Sequence, residues 1–245
     1  MKIITWNCNM AFRKKAEAIL AFGPDILVLP ECECIEKLIF KTDLKQPSSM
    51  LWFGTNQHKG LGIIAYNGIQ FTLIHKHNTS IKTIAPIAVT GGEFDFTLFA
   101  VWAYNPNDPD GTYVEQVWKA IHHYKKLLKP ERTILAGDFN SNTIWDRPRR
   151  RGNHSGVVKF LEKRGIHSAY HLHHKQIQGK EDHPTFYLYR HPDKPYHLDY
   201  CFASEDITKH ITSVEVGDHA TWSSYSDHVP LMVTIKPASD LHEKL

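Results

Sequence analysis

The chain is poor in the features that assign a sequence quickly. It holds only four cysteines, Cys8, Cys32, Cys34 and Cys201. Their spacing fits neither a zinc ribbon nor a secreted disulfide framework, so they are expected to be reduced and packed as small apolar residues. No apolar run approaches the roughly 18 residues that a membrane span requires. The first residues, Met1 to Trp6, run straight into a strand pattern without the apolar region of a signal peptide. These absences predict a soluble cytoplasmic protein with no membrane partner. A surplus of charge is missing too, because 29 Lys and Arg against 26 Asp and Glu leave a formal net charge of +3. Any contact with nucleic acid must therefore come from local basic patches. There is no fixed-period repeat and no low-complexity linker, and 245 residues read as one domain over 1–245.

What is present has the composition of a globular core, with 42% hydrophobic residues. Short apolar runs predict strands at residues 2–6, 25–29, 61–66, 71–75, 84–90, 94–104, 186–190, 197–203, 211–216 and 229–235. Gly91-Gly92 predicts a hairpin turn between two of them. Helical spacing predicts helices at 13–22, 112–128 and 155–164. The first stops at Gly23-Pro24, the second before Pro130 and the third at Gly165. Residues 167–183 carry many of the 17 histidines without periodicity and read as a loop. Strands with helices set between them suggest two packed sheets flanked by helices.

Residues 134–142, Ile-Leu-Ala-Gly-Asp-Phe-Asn-Ser-Asn, hold the clearest chemical signal. Ile134 to Ala136 read as the end of a buried strand, and Asp138 and Asn140 follow two apart. In extended chain such residues share a side, so a carboxylate and a carboxamide would converge at a sheet end. That pairing suits metal-assisted attack on phosphorus. A strand end followed by an Asx turn reads equally well. Polar residues recur at other strand ends: Asn7 and Asn9, Glu31, Tyr104 and Asn107, Asp199, and Asp227 with His228. Together they are the parts for cleaving a phosphoester. Carboxylates can hold a cation, amides can orient phosphate, and a histidine beside an aspartate can supply positive charge. Arg147, Arg149, Arg150 and Arg151 follow the Asp138 strand as the densest positive charge in the chain. They could hold backbone phosphates, and a solvated loop is the alternative.

In this order, Trp6-Asn7-Cys8-Asn9, Leu29-Pro30-Glu31, Ala103-Tyr104-Asn105-Pro106-Asn107, Gly137-Asp138-Phe139-Asn140, Leu198-Asp199-Tyr200 and Ser226-Asp227-His228 resemble the motifs of the endonuclease/exonuclease/phosphatase family. The Asn-x-Asn start resembles exonuclease III-like nucleases. The resemblance implies an α/β fold, a four-layer αββα sandwich of two mainly antiparallel sheets flanked by helices. It implies Mg²⁺ or Mn²⁺ held chiefly by Glu31, with Asn7 and Asp227 near it. Asp138 would activate water and Asn140 position it. His228, oriented by Asp199, would stabilise the phosphorane oxygens, and Tyr104 and Asn107 would contact the scissile phosphate. Asn9 and the arginines would bind substrate. The activity so implied is that of a monomeric nuclease on DNA, with RNA as the other polymer, acting as a 3′-5′ exonuclease with some endonuclease action. A phosphatase or phosphodiesterase of a small ligand would use the same centre, and a binding module with a degenerate centre is a third class. Pro30 stands where nucleases of this family often carry Gln. The stretch before Asp199 lacks the Trp-rich segment that shapes an abasic-sugar pocket.

Overall fold

The structure is a computed structural model that describes residues 1–38, 43–75, 77, 78, 80, 81, 83–104, 113–147 and 152–236. Strands β1 (Lys2–Thr5), β2 (Ile26–Cys32), β3 (Ser49–Asn56) and β4 (Lys59–Ala65) come first. Next are β5 (Gln70–Leu73), β6 (Ile84–Thr90), β7 (Phe96–Trp102), β8 (Thr133–Asp138) and β9 (Ile166–Ser168). The last are β10 (Phe186–Tyr187), β11 (Pro195–Tyr196), β12 (Asp199–Ser204), β13 (Ile211–Val216) and β14 (Leu231–Ile235). One six-stranded sheet has the order β13-β14-β1-β2-β4-β3 and the other β5-β6-β7-β8-β12-β9, with β10 and β11 forming a separate pair. Within the two large sheets only β1 with β2 and β7 with β8 run parallel.

Alternation along the strands builds the layers. Ile3, Ile26, Val28 and Ile63 of the first sheet share a core with Leu98, Ala100, Ile134, Ala136 and Cys201 of the second. The residues between them face outward. Ile4, Leu27 and Leu29 pack on helix α1 (Ala16–Leu20) through Ala16 and Ile19. Phe99, Leu135 and Phe202 pack on α2 (Val114–His123) and α3 (His154–Glu162). The result is the αββα sandwich that the resemblance implied. The hairpin at Gly91-Gly92 is present as β6 and β7 in antiparallel register.

Several elements differ from the sequence reading. The helix expected over 13–22 is a 3-10 turn at Phe12–Lys14 followed by α1, because Lys15 leaves helical geometry at φ −123°. Strand β3 gave no alternation because it is a sheet edge whose first six residues are all half-buried. The loop expected over 167–183 contains the end of β9 and a helix, α4 (Ala169–His174). Its histidines are held by polar partners rather than by an apolar stripe: Ser168 caps the helix, and His171 Nε2 lies 3.0 Å from Glu181 Oε1. The strand expected at 186–190 is only the two residues of β10, since Tyr189 and Arg190 take left-handed backbone conformations.

Gly137 fixes the end of β8. Its φ is +146°, and a Cβ there would lie 1.8 Å from the Val101 carbonyl oxygen on the paired strand β7. Both the conformation and the space therefore demand glycine. Gly137→Ala should destabilise the protein by about 3 kcal/mol or more, read as a lowered midpoint in chemical denaturation. An unchanged midpoint would show that the β7–β8 pair adjusts at no cost.

Candidate active site

The parity that fills the core also sets the site. Ile134, Ala136 and Asp138 share one face of β8, and Asp199, Cys201 and Ala203 share one face of β12. The register pairs Asp199 directly with Asp138. Two carboxylates thus meet at the mouth of the layer between the sheets, both fully buried. Like charges directly opposite on neighbouring strands repel. The compensation comes from the other sheet, where His228 lies just ahead of β14. Its Nδ1 donates to Asp199 Oδ2 at 2.8 Å, and its Nε2 stands 4.0 Å from Asp138 Oδ2.

The electrostatics follow from that trio. Burial pushes the Asp138 carboxyl up, the Asp199 charge pushes it further, and it comes to about 7. Burial opposes charge on His228, but Asp199 and Asp138 outweigh it and raise the imidazole to about 10. His228 is therefore an imidazolium at neutral pH, while Asp138 titrates there. Asp199 is fixed by its backbone, whose N–H donates to Thr185 Oγ1 at 2.9 Å. Its Oδ1 is buried without a hydrogen-bond partner among the described residues.

The amides are drawn onto the same centre. Asn7 Nδ2 donates to Asp138 Oδ2 at 3.0 Å, and Asn7 Oδ1 accepts the Asn9 N–H at 3.1 Å. Asn140 has φ +46°, and its N–H donates to Asp138 Oδ1 at 2.8 Å, an Asx-type turn. Its Nδ2 donates to Asp138 Oδ2 at 2.9 Å and to the Ala103 carbonyl at 3.1 Å. The turn and the polar pairing, which read as alternatives in the sequence, are one arrangement. Asn9 Nδ2 donates to Asp227 Oδ1 at 3.2 Å.

Glu31 sits apart from this cluster in its side-chain contacts. It occupies a bulge in β2, between Pro30 and Cys32, with φ +62°. Its strand continues to Cys32, so Glu31 is re-aimed by the bulge rather than left at a strand terminus. Its Oε2 pairs with Lys59 Nζ at 3.1 Å. Backbone bonds tie its segment to the asparagines, from Cys8 N–H to Pro30 O and from Met10 N–H to Glu31 O, both 3.0 Å. Tyr104 is partly exposed and stacks on Trp102, with centroids 4.3 Å apart and planes 9° apart. Arg147 is exposed on the loop after β8. Asn107, Arg149, Arg150 and Arg151 lie outside the described residues.

Sequence reasoning missed four contributors. Trp6 Nε1 donates to the His228 carbonyl at 3.0 Å. Ser226 Oγ donates to Asn7 O at 2.7 Å and accepts the His228 N–H at 3.1 Å. Thr185 and Lys59 complete the group. Trp6 and Ser226 stand in motifs that carry the family resemblance but had no role of their own, and a lone threonine gives no pattern. Lys59, just ahead of an apolar run, was a weaker signal.

Among the described residues, the ligand atoms of Asp138, Asp199 and His228 form one group able to hold a metal ion, all within 4.8 Å of one another. No helix among them is long and apolar enough to cross a membrane. No curated protein matches the chain in sequence. Among solved structures it is similar to a 3′-5′ exonuclease (NExo) from Neisseria meningitidis, with 19% identity, TM-score 0.67, and 97% of this chain and 100% of that one covered. A structure described as a 3′ phosphatase (NExo) from Neisseria, bound to a product DNA hairpin, matches at 20% identity, TM-score 0.67 and the same coverage. An AP endonuclease from Archaeoglobus fulgidus matches at 16% identity and TM-score 0.67, again over 97% of this chain and 100% of that one. At these identities the likeness is one of fold. The sequence profile described as "Endonuclease/Exonuclease/phosphatase family" matches residues 4–228. Its members are hydrolases of phosphodiesters or phosphate esters and depend on a divalent metal. With that profile reaching into both sheets and covering every described residue of the cluster around Asp138, the chain belongs to the endonuclease/exonuclease/phosphatase family.

Proposed function

We propose that the protein is a divalent-cation-dependent nuclease that hydrolyses DNA phosphodiesters, a 3′-5′ exonuclease with some endonuclease action. The observation that carries this reading is the trio of Asp138, His228 and Asp199. It sets a carboxylate that titrates at about 7 within 4.0 Å of an imidazolium. A base poised near neutrality suits removal of a proton from water, and a fixed positive charge suits the oxygens that gain charge in phosphoryl transfer. Asp138 is the base. Asn140 has both Nδ2 hydrogens committed to Asp138 and Ala103, so its carboxamide oxygen is the atom that orients water. His228, held by Asp199, faces the phosphoryl oxygens. The Tyr104 hydroxyl, with Asn107, contacts the scissile phosphate. Asn9, Arg147, Arg149, Arg150 and Arg151 hold the backbone of the polymer. The DNA-bound relative of the same fold supports DNA as the polymer.

The residues present fit a hard cation. The imidazolium of His228 offsets one of the two buried carboxylates and, with both ring nitrogens protonated, offers no lone pair to a metal. Glu31, in contrast, stands in a left-handed bulge with a positive charge already at its carboxylate. Glu31, with Asn7 and Asp227, would hold Mg²⁺ or Mn²⁺, since oxygen donors suit both. A cation bound there supplies Lewis-acid polarisation of a phosphoryl oxygen. End-labelled duplex DNA, single-stranded DNA, RNA and a generic phosphomonoester, each with Mg²⁺, Mn²⁺ or a chelator, test the reading. Metal-dependent shortening of DNA is expected. Turnover of the monoester alone would replace the nuclease by a small-ligand phosphatase.

Further outcomes are expected of the same preparation. Glu31→Gln should weaken Mn²⁺ binding and lower kcat/KM by about a hundredfold or more, measured by calorimetry and initial rates; normal values for both would remove Glu31 from the site. The pH profile of kcat/KM should fall about tenfold per unit below pH 7, as Asp138 takes up its proton, and stay level from there towards pH 10, where His228 loses its charge. An acid limb near the ordinary carboxylate value would assign the base elsewhere. Finally, His228→Ala and Asp199→Asn should each remove most single-turnover activity, and the double variant should be little worse than His228→Ala. Losses that multiply would mean that the two residues act independently.

A further inference from the structure

Lys59 is a charged residue at this mouth to which the proposed mechanism gives no chemical step. It opens β4, and Glu31 lies on the neighbouring strand at the bulge where the β2–β4 register slips between Pro30 and Cys32. The strand start is held in place by Trp52. Its Nε1 donates to the Cys32 carbonyl at 3.1 Å, and its ring covers Gly60 so closely that a Cβ there would meet it at 2.4 Å. From that anchored backbone the ammonium reaches three groups. It is 3.1 Å from Glu31 Oε2, 5.8 Å from the Trp102 ring centroid and 5.7 Å from that of Tyr104. The two rings are stacked, which gives the cation a paired aromatic wall. The Lys59 side chain remains 30% exposed, so it is open to solvent.

We propose that Lys59 is a built-in rival of the divalent cation for Glu31 and, once displaced from it, a contact for the substrate phosphate beside Tyr104. The inference rests on the reading of Glu31 as the principal cation ligand. The reasoning is one of charge balance. In the cation-free protein the ammonium neutralises the carboxylate, which would otherwise stand unpaired at the bulge of an apolar strand. A divalent cation at the same carboxylate adds two positive charges within a few ångströms of a third, and like charges that close repel. Lys59 must then give up Oε2. Its ring contacts keep it from swinging into bulk water, because the Trp102–Tyr104 wall stays within reach of the ammonium. Its charge is left next to the phenol assigned to the scissile phosphate. An arriving phosphate screens the ammonium from the cation, so each ligand should ease the binding of the other.

The experiment is calorimetric titration of Mn²⁺ into the full chain, without substrate, for the native protein, Lys59→Met, Lys59→Arg and Glu31→Gln, followed by kcat and KM on an end-labelled oligonucleotide. Circular dichroism checks that each variant is folded. Lys59→Met should bind Mn²⁺ about tenfold more tightly, because a competing charge has gone, while its KM for the oligonucleotide rises about tenfold and kcat at saturating Mn²⁺ changes little. Lys59→Arg should return both constants close to native, whereas a purely structural lysine would not give this opposed pair of shifts. If Glu31→Gln weakens Mn²⁺ binding but Lys59→Met leaves it unchanged or weaker, the rivalry is overturned and Glu31 remains the ligand. If Glu31→Gln binds Mn²⁺ as the native protein does, the assignment of the cation to Glu31 falls, and the proposal falls with it.

Discussion

The interaction on which the site depends is the charge balance among Asp138, Asp199 and His228. Strand register forces the two carboxylates opposite each other in a space that excludes water. A buried charge is costly without a partner. The imidazolium supplies one, and the carboxylates in turn keep the imidazole charged. Everything around the trio limits its freedom. Thr185 binds the backbone of Asp199, Trp6 and Ser226 bind the backbone of His228, and Asn7 and Asn140 bind the carboxylate of Asp138. The asparagines do for Asp138 what ordered solvent would do at a surface, but in fixed directions. This is preorganisation in the electrostatic sense, with dipoles aimed before any substrate arrives.

Two kinds of positive charge serve the two halves of the site. His228 is sealed in and is tuned by its neighbours. Lys59 is at the rim, with an aromatic wall behind it and a carboxylate in front. The acidic side chains divide in the same way. Asp138 and Asp199 share the one imidazolium, while Glu31 is held in a conformation unusual for its residue type and paired with Lys59. A strained bulge beside a buried centre is a common way to aim one side chain out of a regular sheet.

Much of this was legible in the sequence because the site is built from strand ends. Apolar runs such as Ile134 to Ala136 and Ile26 to Leu29 mark buried strands, and the polar residues that follow them are conspicuous. The layer architecture follows from the same runs. What escaped detection lacks an apolar period. Strand β3 is a half-buried edge, and α4 sends only Ala169 and Tyr170 into the core while its histidines find polar partners. Roles that depend on partners distant in the chain escaped as well. Nothing local to Lys59 says that Glu31 will stand beside it, because a bulge and a strand pairing decide that. The spacing of Asp138 and Asn140 pointed to the right pair for an incomplete reason, since Asn140 reaches its neighbour through a left-handed turn rather than along an extended chain.

The placement of His228 has a wider consequence. The two aspartates ride on one sheet, and the histidine that makes their charge tolerable is delivered by a segment leading into the other. A half-built molecule, with either sheet formed but not yet docked, therefore contains no competent centre at all. The trio is complete only when the two sheets are packed against each other. The centre therefore reports on the docking of the two sheets: any loosening of one sheet against the other separates the imidazolium from the carboxylates before either sheet itself comes apart.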